Sequence, residues 1–255
     1  MGEDPLKIYA LYKTFDGEEW IEKSLESIYK HVDGIVMVHS ELAWDGKTKV
    51  NRVSPVVREW AEKNDTEKKI HEFHTGVNNQ EAQYKIGFDY IRVTFLYDWI
   101  MLIDSDEIWD DENWKKAKRH LMYNPHRAMH CKMHTYIKKP YFRIHPPERA
   151  RPTVFINRTV REMSGVRWHK IKPKFYMDDV FFHHYTLVRK NEEDIRRKII
   201  TSNQQDGANA VDVDWWMREV WDRMPDVNDF HISKGYENSW HSLVRIAPEV
   251  PGFLK

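Results

Sequence analysis

Up to Asp110 the chain alternates two hydrophobic rhythms. Three nearly continuous apolar runs, Lys7–Tyr12 (KIYALY), Gly34–His39 (GIVMVH) and Asp98–Ile103 (DWIMLI), suit strands buried on both faces. Ile70–His74 is a weaker run of the same kind. Between them, apolar residues recur at helical spacing: Ile21, Leu25 and Ile28; Val56, Val57 and Trp60; Ala82, Ile86 and Tyr90. Asp16–Glu19 reads as a capping box for the first helix, Ser54-Pro55 as N-cap and first turn of the second, and Asn79 opens the third. This βαβ alternation predicts an α/β fold: a mostly parallel sheet with helices on both faces. Ligands of such sheets bind at the carboxyl ends of the strands.

From residue 126 onward the rhythm is mixed. Ala128–Ile137, Thr153–Asn157 and Val180–Val188 read as strands, and Asn191–Gln204 and Asp214–Met224 as helices. The proline-rich stretch 141–152 reads as loop, as does most of 225–255. The expectation is one domain in two halves: an α/β half over 1–125 that binds the nucleotide sugar discussed below, and a smaller α+β half over 126–255 that serves the acceptor and completes the site. A content of 41% hydrophobic residues supports a core of that size and excludes wholesale disorder.

The formal net charge of zero conceals a strong asymmetry. Residues 1–114 carry 13 Lys+Arg against 24 Asp+Glu, and residues 115–176 carry 17 against 2. Either the basic middle packs against the acidic beginning, or it faces a phosphate-rich ligand or acceptor. No apolar run is long enough to span a membrane. The acidic start is not a secretory signal, and the single Cys131 excludes an internal disulfide and a cysteine-rich zinc site. A cytoplasmic location is the resulting expectation.

The sharpest chemical feature is Asp104-Ser105-Asp106-Glu107, directly after the most apolar strand. An isolated pair of acids like this is usually a solvated turn or helix cap. At the carboxyl end of a central strand, the two carboxylates instead converge on one hard cation, Mn²⁺ or Mg²⁺, whose open positions take substrate phosphate. Further along, adjacent residues of a strand point to opposite faces, so at most one of His183 and His184 serves such a site. The expected ligand is His184.

The stretch DWIMLIDSDEIW, preceded by IYALYKTFDGEEWIEKSLESIYKHVDGIVMV, resembles the GT-A nucleotide-sugar glycosyltransferases of the family 2-like group. The likeness covers residues 6–110. A second patch, HHYTLVRKNEEDIRRKI, is similar to a downstream segment of related transferases. The resemblance implies a GT-A (Rossmann-like) fold and a UDP- or GDP-type nucleotide-diphosphate sugar as donor. It places Tyr12, Thr14, Ser40, Glu41 and Asp45 at the nucleoside and Lys85 at phosphate. Asp104 and Ser105 then lie near ribose or metal, and Asp104, Asp106 and His184 hold the ion. Arg189 and Lys190 hold the diphosphate, Trp168 stacks on the sugar, and Trp109 and Trp114 shape the acceptor side.

The expected reaction is metal-dependent transfer of a hexose to a hydroxyl acceptor: a glycan, a small molecule or, given the basic segment, a polyanion such as an anionic glycan or modified DNA. Inverting transfer needs a carboxylate base, for which Glu107, Glu148, Glu162, Asp178 and Asp179 are candidates. Two other readings use the same acids: a nucleotidyl- or phosphotransferase, and an inactive module that only binds sugar nucleotides.

Overall fold

The computed structural model describes residues 6–43, 47, 51–163, 165, 167, 171–203, 211–232 and 239–246. Four parallel strands form its first half: β1 (Ile8–Thr14), β2 (Gly34–Ser40), β3 (Ile70–Thr75) and β4 (Trp99–Ile103). They lie in the order β3-β2-β1-β4, with the helices α1 (Ile21–Ile28), α2 (Val53–Asn64) and α3 (Gln80–Thr94) as crossovers. This is the α/β class expected from the apolar runs, in the layout that the resemblance implied. β1, β2 and β4 hold almost only buried residues, which accounts for runs without alternation.

The second half continues the same sheet with mixed directions. Its elements are β5 (Glu107–Ile108), α4 (Asp111–Tyr123), β6 (Ala128–Ile137), β7 (Phe142–His145), β8 (Thr153–Asn157), β9 (Lys174–Leu187), α5 (Glu192–Asn203), α6 (Val213–Trp216) and β10 (Ser242–Arg245). A π-helical turn, Met217–Trp221, extends α6. β8 pairs antiparallel with β4, β6 pairs with β8 on one side and with β7 and β9 on the other, and β9 also pairs with β5. One ten-stranded sheet therefore runs through both halves. Strand β7 lies in the stretch read as loop, and β10 in the tail. Both are short strands, paired with each other at the sheet edge, and their periodicity is too brief to be legible.

Several local expectations are corrected. No side chain caps α1, which starts after Trp20. Asp16 instead pairs with Arg197, and Glu19 with Arg189. α2 starts after Arg52, and Asn51, one residue earlier, accepts from the Val53 and Ser54 amides through Oδ1, so Ser54 lies inside the helix. Asn79 does cap α3. The buried face of α3, however, is Tyr84, Gly87, Phe88 and Ile91 rather than Ala82, Ile86 and Tyr90. Gly87 decides this rotation: a Cβ there would overlap Leu11 and stand 3.1 Å from Val38, so only glycine lets the helix rest on β1 and β2 at this point.

The charge asymmetry is partly neutralised within the fold. Arg158 meets Asp98, and Arg167 meets Asp104 and Glu107. No helix among the described residues is long and apolar enough to cross a membrane.

Candidate active site

The carboxyl ends of β1 and β4 open into a cavity of about 240 Å³. Asp104, Ser105 and Asp106 line it from the turn after β4, Lys13 from β1, His184 from β9 and Lys198 from α5. Strand alternation explains why Lys13 is there. Ile8, Ala10 and Tyr12 face the α1 side, so Leu11 and Lys13 face the α3 side. Lys13 then reaches Asp104 at 2.9 Å.

Each of the two acids is held by cations. Asp104 accepts from the Tyr84 hydroxyl at 3.2 Å and faces Arg167 at 3.4 Å in addition to Lys13. Burial alone would raise its carboxyl, but Lys13 and Arg167 hold it below the ordinary carboxylate range. Asp106 is 2% exposed. It accepts from Arg189 at 2.9 Å and lies 3.7 Å from Lys198 and 3.6 Å from His184 Nε2. Against the upward push of burial, Lys198, His184 and Arg189 hold it well below the ordinary carboxylate range. Burial lowers the His184 imidazole, against the opposing pull of Asp106 and Glu148. Neutral imidazole is the form that ligates a metal.

Asp106 and His184 fit a shared divalent ion. Oδ1 and Nε2 stand 3.6 Å apart on the cavity wall, a gap that metal bonds of roughly 2.1 Å bridge. His184 Nδ1 is buried without a hydrogen-bond partner. Asp104 does not join them: the three residues do not bring their ligand atoms within 4.8 Å of one another. His183, on the opposite face of β9, bonds Tyr136 and Asp110 instead.

Other expected site residues are placed differently. Tyr12 is fully buried, with its hydroxyl on Ser24, and belongs to the core. Trp109 and Trp114 are core as well. Thr14 bonds His39 Nδ1 at 2.6 Å. Ser40 donates to the Leu42 and Val77 carbonyls, and the Glu41 amide to Thr75. Ser105 donates to the Asp16 carbonyl, which ties the acidic turn to the β1–α1 loop. Lys85 is on an exposed face of α3, paired with Asp89 one turn on. Arg189 is 1% exposed and bonds Asp106, Glu19 and the Thr186 carbonyl, so it positions the acid rather than offering charge to a ligand. Lys190 is exposed before α5. Asp45 and Trp168 lie outside the described residues.

Among the proposed bases, Glu107 is 2% exposed and ion-paired with Arg167. Burial pushes its carboxyl up against the pull of that arginine. It does not line the cavity, and its role is to accept from the Asp104 amide. Asp178 pairs with Arg151 and Lys132, and Asp179 with His120, outside the cavity lining. Glu162 is exposed. Glu148 does not line the cavity either, but it is linked to His184. Thr135, which pairs with His184 across β6 and β9, donates to its carboxylate, and its charge reaches His184. Lys13, Lys198 and Gln80, which also lines the cavity, carry no motif that sequence reading would single out.

No family model and no curated protein matches this chain. Solved structures do. S. aureus TarS 1-349 shares 11% identity at a TM-score of 0.47, over 76% of this chain and 63% of that one. Its complex with UDP-GlcNAc matches with 13% identity and a TM-score of 0.49, over 77% and 66%, and its complex with UDP with 14% and 0.47, over 77% and 64%. The chain thus spans less than two thirds of the length of those structures.

Proposed function

We propose that this protein transfers a sugar from a nucleoside-diphosphate sugar to a hydroxyl acceptor. The observation that carries the reading is the cavity at the carboxyl ends of β1 and β4, where Asp106 and His184 offer a two-donor cation site beside Lys13 and Lys198. A diphosphate needs that pairing of ligands and positive charge, and a bare acidic turn would repel it.

Asp106 and His184 would hold Mn²⁺ or Mg²⁺, which supplies charge neutralisation at the diphosphate as the sugar leaves. Lys13 and Lys198 bind the same phosphate oxygens and stabilise the negative charge that develops on them. Arg189 fixes the rotamer of Asp106, and Arg167 with Glu107 fixes the turn that carries Asp104. Glu148 takes the proton from the acceptor hydroxyl. The acceptor enters from the side of the basic segment, and a polyanionic acceptor is the class that segment favours.

The test is a thermal-shift panel of UDP, GDP and their sugar conjugates, each with and without Mn²⁺, followed by an assay for released nucleoside diphosphate. Mass action requires a true donor to raise Tm. Asp106→Asn should abolish the Mn²⁺-dependent part of the shift and lower transfer by about 10³-fold or more. Release of pyrophosphate, or an unchanged Asp106→Asn enzyme, would overturn the proposal.

A further inference from the structure

A second cluster of metal-ligating side chains lies on the neighbouring strands. His39 is the penultimate residue of β2, and Glu72 and His74 are two residues apart on β3. The parallel register sets His39 opposite His74, and residues two apart on a strand share a face. The ligand atoms of the three all lie within 4.8 Å of one another. His39 Nε2 is 2.9 Å from Glu72 Oε2, and the two imidazoles stack at 5.0 Å.

We infer that His39, Glu72 and His74 form a site for a single zinc ion, separate from the cavity at Asp106. Two imidazoles and one carboxylate are a recurring zinc donor set, and zinc takes a fourth ligand from water. The burial gradient suits this: His39 is fully buried, Glu72 is 22% exposed and His74 is exposed, so the fourth position faces solvent. The outer shell is present too. A ligating histidine normally gives its other N–H to a fixed acceptor, and His39 Nδ1 sits 2.6 Å from Thr14 Oγ1. The site already attracts a cation. Arg58 donates to His74 Nε2 at 2.9 Å and lies 4.0 Å from Glu72. Its side chain is 59% exposed and free to swing aside for the ion. The bound ion would tie the carboxyl ends of β2 and β3 together and, through Thr14, the end of β1.

This inference does not depend on the proposed transfer reaction, and its test needs no substrate. The purified full chain is stripped with chelator and titrated with ZnCl₂ alone by calorimetry, in an Asp106→Asn background that silences the cavity. One equivalent should bind and raise Tm. Adding His74→Ala should weaken binding at least 30-fold and remove the Tm rise, with the metal-free Tm unchanged because His74 is exposed. His74→Cys, which keeps a zinc ligand, should restore it. Glu72→Gln should weaken binding as well. No zinc binding in the Asp106→Asn background, or equal binding with His74→Ala and Glu72→Gln, would overturn the inference.

Discussion

Gly17 is the position where the β1–α1 loop and the acidic turn are held in contact. Its φ of +104° lies in the region that side chains rarely adopt. A Cβ there would overlap Ser105 Oγ and stand 3.0 Å from Ser105 Cβ and 3.7 Å from Arg189 Nη1. In Gly17→Ala, the Ser105 hydroxyl must retreat by roughly 1.2 Å or more to restore ordinary contacts. The backbone strain costs about 1–3 kcal/mol, and loss of the Ser105 bond to the Asp16 carbonyl adds about 1 kcal/mol. A total of about 2–4 kcal/mol lowers the Tm of a chain of this size by roughly 4–16 °C. Ser105 sits between the two acids, so its retreat misplaces both. A displacement of this size costs about 10²-fold in rate when it reaches reacting groups. The assay is a double-mutant cycle with Ser105→Gly, read in Tm and in turnover. The double variant removes the overlap but not the strain, so it should recover most of the rate and only part of the Tm. A Gly17→Ala protein with wild-type turnover, or a double variant no faster than Gly17→Ala, would refute the claim that this contact sets the geometry of the acids.

Three further outcomes are expected. Glu148→Gln should lower kcat by about 10²–10³-fold while leaving donor affinity unchanged, as steady-state kinetics with varied donor would show. Lys198→Met should weaken nucleoside diphosphate binding about tenfold by calorimetry, with little change in Tm because Arg189 still compensates Asp106. Asp110 caps α4, and burial, which raises its carboxyl, is outweighed by the bonds from His183 and Asn113 that hold it at about 2. A folded value below the unfolded one stabilises above pH ~4, and the contribution is lost as pH falls towards 2. Asp110→Asn keeps the cap, so urea unfolding should show a deficit of about 1 kcal/mol at pH 7, discounted for solvent screening, that vanishes near pH 2.

The parallel half was legible because its strands are buried on both faces and carry their own signature. The acidic turn was legible because it follows the most apolar of those strands. What could not be read from local pattern depends on partners distant in the chain. Asp16 and Glu19 look like a capping box, but Arg197 and Arg189 draw them away from the helix end. Lys13 reaches Asp104 and Lys198 reaches Asp106 from distant parts of the sequence, and no local spacing reveals that meeting. Arg189 reads as a phosphate ligand beside Lys190, yet burial against Asp106 and Glu19 makes it a support. The face of α3 depended on Gly87, whose missing side chain gives no periodic signal.

The ion pairs that Arg189 and Arg197, before and within α5, make with the β1–α1 loop also bear on the order in which the protein can be made. Arg197 and Asp16 are 181 positions apart, and Arg189 and Glu19 are 170. While the ribosome is still short of α5, the growing chain carries the acidic loop and Asp106 without the cations that later offset them. The parallel strands are complete by then, and Lys13 and Arg167 already offset Asp104, but Asp106 still lacks Arg189 and Lys198. The cavity at the ends of β1 and β4 can close only when α5 has left the exit tunnel, so a nascent chain has the parallel scaffold well before it has the complete site.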